Sequence, residues 1–185
     1  EKGARTSDPA ALARLRRERG DVLAERQGDA ARATGELEAV LASDPDDRAA
    51  LRALEKLYER QGRELDYLRT VERLADLAES DAERLMLLRR LAAEWEERRG
   101  GDGGPGGART SGLDRAADAL EQILQLAPDD PDAFRACTRG DRRAGRGRAR
   151  AEAIERRRGR AVDRAESRAL SSELGQVYEQ ELRDP

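Results

Sequence analysis

Histidine and asparagine are absent from these 185 residues, and cysteine, methionine, tryptophan and phenylalanine appear once each. Each shortage closes off some chemistry. With no imidazole and a single thiol, Cys137, the span holds no disulfide framework, no zinc site of the Cys/His type and no histidine-based catalysis. No apolar run approaches the roughly 20 residues that a membrane-crossing helix requires. Aromatic residues make up 3% and mean hydropathy is -0.90, so one large globular core is not expected. Lysine is scarce too, since Lys2 and Lys56 are the only two among 36 basic side chains. Net charge is -3 although 41% of residues are charged, and this mixing of signs gives no global pull toward nucleic acid or anionic membrane.

What remains is rich in Ala, Leu, Glu and Arg, all strong helix formers, with apolar residues recurring at helical spacing. That combination predicts thin helices, each burying one narrow stripe on its neighbours. Residues 1–8 read as a tail, and helical segments are expected at 9–27, 30–42, 47–61, 64–78, 81–99, 113–126, 131–144, 147–160 and 164–182. Asp44-Pro45 and Ala127-Pro128 mark stops, because proline cannot continue a helix. Asp46 and Asp129 are the expected N-caps of the helices that follow. Gly28, Gly62 and Gly145 stand where the chain must turn back. A glycine-rich stretch, GGDGGPGGART from Gly100 to Thr110, cannot hold a helix and predicts a surface loop over 100–112. It lacks the G-K-[ST] ending of a phosphate loop and has no strand before it.

Two long segments on either side of this insert are copies of one another. The run Leu37 to Arg73 reappears at Leu120 to Arg156, and the match continues to Trp95-Glu96 against Tyr178-Glu179. The large residues nearest each turn, Leu23, Tyr58, Trp95, Asp141 and Tyr178, are spaced by 35, 37, 46 and 37 residues. Removing the eleven inserted residues turns 46 into 35, so the rhythm is an alternating 35/37 unit. Self-similarity at such a period is the mark of a stacked repeat protein. The copy at 131–160 has diverged: Leu54, Leu57, Tyr58, Tyr67 and Leu74 of the first copy become Cys137, Gly140, Asp141, Arg150 and Arg157. With packing residues replaced, this pair is expected to be the least stable part, which native-state amide exchange would read. Cys137 reads as a small apolar filler and Trp95 as a packing residue.

Two further stretches carry a family likeness. Leu174 to Tyr178, LGQVY, and Ala116 to Asp130, AADALEQILQLAPDD, resemble the first and second helices of the tetratricopeptide repeat. The resemblance implies an all-α solenoid of antiparallel helix hairpins, a right-handed superhelix, whose first helices line a concave groove. It further implies a non-catalytic scaffold that binds a protein or peptide there. Six residues before Tyr58, Trp95 and Asp141 stand Arg52, Arg89 and Arg135, with Arg17 in the same place relative to Leu23. Lys56, Arg60 and Arg139 are the other groove candidates. Together they suggest an acidic partner, its carboxylates met by guanidinium groups. The chaperone-tail clamp of the family also uses asparagine, which this chain lacks.

The arginine-dense run Arg139 to Arg160 offers a competing reading, a contact for nucleic acid or an acidic surface, though without interleaved aromatics for base stacking. A purely architectural spacer is a third. No catalytic residue, metal site or cofactor site is expected. The chain is read as a cytoplasmic piece of a longer bacterial repeat array.

Overall fold

The computed structural model describes residues 14–16, 20, 30–97 and 112–182. These residues are all-α, with no strand among them. Eight α-helices follow one another: α1 (Ala30–Ser43), α2 (Arg48–Gln61), α3 (Glu64–Asp76), α4 (Asp81–Glu97), α5 (Gly112–Leu126), α6 (Pro131–Arg143), α7 (Gly147–Arg158) and α8 (Arg164–Val177). A short π-helical turn, Tyr178–Leu182, closes the series. The chain divides into two compact units, residues 1–87 and 88–185, with the division inside α4. Of the expected first helix, residues 14–16 and 20 are helical; the expected insert, apart from Gly112 in α5, lies outside the described residues.

Local sequence explains where the helices start and stop. The Asp47 carboxylate accepts the Ala50 N–H at 3.0 Å, and Asp130 accepts from Asp132 and Ala133 at 2.9 and 3.0 Å. The caps are thus Asp47 and Asp130, one residue later than the expected Asp46 and Asp129. In each Pro-Asp-Asp run only the second acid directly abuts the helix, and Pro131 takes the first helical position after Asp130. Gly62 and Gly145 both adopt positive φ, 65° and 68°, as a turn into the next helix demands. The same backbone bond seals both turns: Arg63 N–H donates to Tyr58 O at 2.9 Å, and Arg146 N–H to Asp141 O at 2.8 Å.

In the first unit, α2 packs on both α1 and α3. Ala33, Leu37 and Val40 of α1 meet Ala50, Leu54, Leu57 and Tyr58 of α2 in one apolar cluster. The α2 residues fall at i, i+4, i+7 and i+8, one face of a helix. In the second unit α5, α6, α7 and α8 pack in succession. Its core joins Phe134 to Ala151, Ala153 and Ile154 of α7 and to Leu170, Leu174 and Val177 of α8.

The two copies solve one joint differently. At the end of α2, Tyr58 is buried, its hydroxyl donates to Glu38 at 2.8 Å, and Arg63 lies 4.5 Å over its ring. Burial, reinforced by Glu38, holds that phenol above its ordinary pKa. At the matching place in α6, Asp141 is only 3% exposed. Arg146, the counterpart of Arg63, donates to Asp141 at 3.0 Å and to Asp114 of α5 at 2.6 Å. The charges that replace packing residues elsewhere in this copy also have partners. Arg150 pairs with Glu173 at 2.8 Å and with Glu181, and Arg157 pairs with Glu166 at 2.9 Å.

Candidate functional site

A groove in the second unit is lined by one of the expected binding residues, Arg89, and two more, Arg135 and Arg139, pair with acids that line it. Its floor is Ala92 and Ala93 of α4, Ala133 and Ala136 of α6, and Leu120 and Ile123 of α5. Four alanines leave a cavity of about 270 Å3 where larger side chains would close the space. Charged residues rim it. Arg89 donates to Asp130 at 2.7 Å, and Arg139 donates to both oxygens of Glu96 at 3.2 Å. Both pairs join α4 to α6 or to the turn just before it.

Asp130 has two duties here. It caps α6 and accepts from Arg89, and these donors, the Ala133 N–H foremost, hold its carboxyl below the usual range. Arg135, one turn before Arg139, is turned back onto Asp132 of its own helix. Its guanidinium stays largely exposed.

The remaining expected residues lie in the first unit or outside the described residues. Arg52 donates to Glu83 at 2.6 Å, beside Arg48, which holds both Glu83 oxygens at 2.8 and 2.9 Å. Lys56 and Arg60 are exposed and make no ion pair with any described residue. Arg17 lies outside the described residues. The sequence singles out the cations but not the acids that answer them, namely Glu83 in the first unit and Glu96, Asp130 and Asp132 in the second. A signal existed for one of them: the capping aspartate recurs as Asp47 and Asp130 at the offset of the duplication.

The arginine-dense run is similarly engaged. Arg139, Arg146, Arg150, Arg156 and Arg157 each pair with a carboxylate. The exposed ones without an ion pair among the described residues are Arg142, Arg143, Arg148, Arg158 and Arg160. Cys137 is buried, and burial, aided by the charge of Asp141, pushes its thiol up to about 12. A thiol so disposed is a core filler and a poor nucleophile. Among the described residues no helix is long and apolar enough to cross a membrane. No family model matches this chain, and no curated protein matches it either.

Proposed function

We propose that this chain is a non-catalytic scaffold of tetratricopeptide type that holds an extended acidic segment of a partner protein in the α4–α6 groove. The observation that carries the reading is the groove itself: four alanines with Leu120 and Ile123 form its floor, Arg89 lines its rim with Glu96, Asp130 and Asp132, and Arg139 is held beside it by Glu96. Arg89 and Arg139 are 58% and 42% exposed, so their present pairs are surface pairs. Such pairs are worth about 0–1 kcal/mol, and a partner's carboxylates can take over the guanidinium groups at little cost. Binding to an array of this kind draws on a preformed surface, so little ordering energy is lost.

The solenoid arrangement is part of the proposal and has its own support. Gln61, at the end of α2, donates to Ala30 O and Thr34 Oγ1 near the start of α1. Arg73, in the last turn of α3, donates to Pro45 O just ahead of α2. End-to-start contacts of this sort are what antiparallel hairpins make. Stacked hairpins then bury their stripes only on neighbours. Weighing against nucleic acid as the partner, Arg146, Arg150 and Arg157 of the dense run are half-buried in pairs with internal carboxylates.

The test is a random peptide screen followed by calorimetry on the retained sequences. Acidic peptides should dominate, and Ala93→Trp, an exposed position that fills the groove, should weaken them at least about tenfold with the thermal melt unchanged. Peptides that bind the variant as tightly as the parent would sink the reading.

A further inference from the structure

The duplication exposes a second cavity, which shares no lining residue with the groove. About 270 Å3 in volume, it has a floor of Leu124, Pro128, Phe134 and Ala153. Arg156, Arg157 and Arg160 stand around it against a single acid, Glu121. In the first copy the matching residues are Leu41, Pro45, Leu51 and Thr70 for the floor, and Arg73, Leu74 and Leu77 for the arginines. There Leu74 is buried, and Arg73 is drawn down onto Pro45 O and the Asp46 carboxylate. Two leucines have thus become Arg157 and Arg160, and the third position, arginine in both copies, has changed partner. Arg156 reaches sideways to Glu121 at 3.4 Å, a long contact between two exposed groups. Where the first copy buries Leu74, the second carries guanidinium groups around an open cavity.

The three guanidinium groups are differently committed. Arg157 is fixed, donating to Glu166 through Nε and Nη2 at 2.9 Å with its guanidinium 4.9 Å over the Phe134 ring. Arg160 is exposed and pairs with no described residue. Arg156 is held only by its long contact to Glu121. An incoming carboxylate therefore finds two available guanidinium groups above an apolar floor. Charge alone would suit any anion, but the floor favours one attached to an apolar side chain. The Phe134 face is taken by Arg157, which leaves no free ring for a nucleobase to stack on. At this volume the cavity falls just short of the roughly 300–1,000 Å3 of small-molecule pockets, and suits a side chain better than a whole ligand.

We infer that this cavity is a second docking site, for a segment of a partner protein in which an acidic residue flanks a large apolar one. The apolar side chain enters between α5 and α7 and the carboxylate bridges Arg156 and Arg160. The inference does not depend on the α4–α6 groove.

Fluorescence anisotropy with a short labelled peptide alternating glutamate and leucine tests it, on the Ala93→Trp protein so that the α4–α6 groove is filled. The same peptide with serine for leucine, and a single-stranded oligothymidylate, serve as the comparison probes. The leucine peptide should bind at least about tenfold more tightly than either. Arg160→Glu, at an exposed position, should weaken it roughly tenfold. Arg157→Leu with Arg160→Leu writes the first copy's residues into the second and should abolish binding while keeping the helical content. Because the α4–α6 groove is filled throughout, each of these losses reports on this cavity and not on the groove. Equal binding of the serine peptide or the oligonucleotide overturns the inference, as does absence of binding by the leucine peptide or unaltered affinity in Arg160→Glu or the leucine double variant.

Discussion

Tyr58 and Asp141 occupy the same place in two copies of one sequence, and the structure closes the joint around them by opposite means. In the first copy an aromatic ring is buried, and Arg63 stacks on it while reaching Glu38 at 3.5 Å and Asp66 at 2.8 Å. In the second a carboxylate is buried, and the equivalent Arg146 bridges it to Asp114. The backbone hydrogen bond at the turn is the same in both. Local turn chemistry has therefore been kept while the packing above it was exchanged. An arginine is tolerant of that exchange because its planar fork can stack on a ring or hold two carboxylates. The lesson is that a lost apolar residue does not by itself mean a lost contact.

The sharpest way to break this comparison is to truncate the shared arginine. Arg146→Ala leaves Asp141 buried without its cation and should cost about 2–3 kcal/mol by urea denaturation. Arg63→Ala removes an exposed stack and surface pairs and should cost about 1 kcal/mol or less. Equal costs would mean that the two joints are energetically alike and that the difference in burial is of no consequence.

A smaller effect is expected at Gly140, which stands where the first copy has Leu57. A Cβ built there meets nothing within 4 Å, and the residue is helical with no positive φ. Gly140→Ala should therefore add up to about 1 kcal/mol through helix propensity alone. No gain in the melting temperature would show that the divergent pair needs its glycine.

The smallest effect is a slope. Burial raises the Asp141 carboxyl above its unfolded value of 3.8, although Arg146 and Cys137 pull it partly back. Between those two values the folded chain holds more protons than the unfolded chain. This group's contribution therefore falls as pH rises through the window. Asp130 works the other way, since its lowered carboxyl gives stability that is present above 3.8 and lost as pH falls through its folded value. Asp141→Asn should remove the first trend and leave the second, so its melting temperature should drop more steeply on acidification than the parent's. Superimposable curves for the two proteins would refute the assignment of charge at the buried joint.

Much of the fold could be read from the chain because its punctuation is local. Gly62, Gly145 and the two prolines at 45 and 128 fix helix ends through backbone geometry that the sequence states outright. The N-caps were displaced by one because adjacent aspartates offer the same chemistry, and only helix register chooses between them. At 128–131 the proline after Asp130 would have settled it. The α4–α6 groove was legible only in its cations. Its acids come from 41 and 43 residues away, a distance at which charge periodicity carries no pairing information. The divergent copy was read as weakened for the same reason. Glu166, Glu173 and Glu181, which answer Arg157 and Arg150, lie outside the divergent pair at 131–160.

Exchanging Tyr58, Tyr67 and Leu74 for Asp141, Arg150 and Arg157 also changes how each copy responds to temperature. Apolar surface exposed on unfolding raises the heat capacity and polar surface lowers it. These three exchanges should lower the heat-capacity increment of the second copy and flatten its stability curve. Apolar burial weakens on cooling, while the cost of desolvating ions falls on warming. By these exchanges alone, cooling should weaken the first copy more, and warming should favour the second copy's ion pairs.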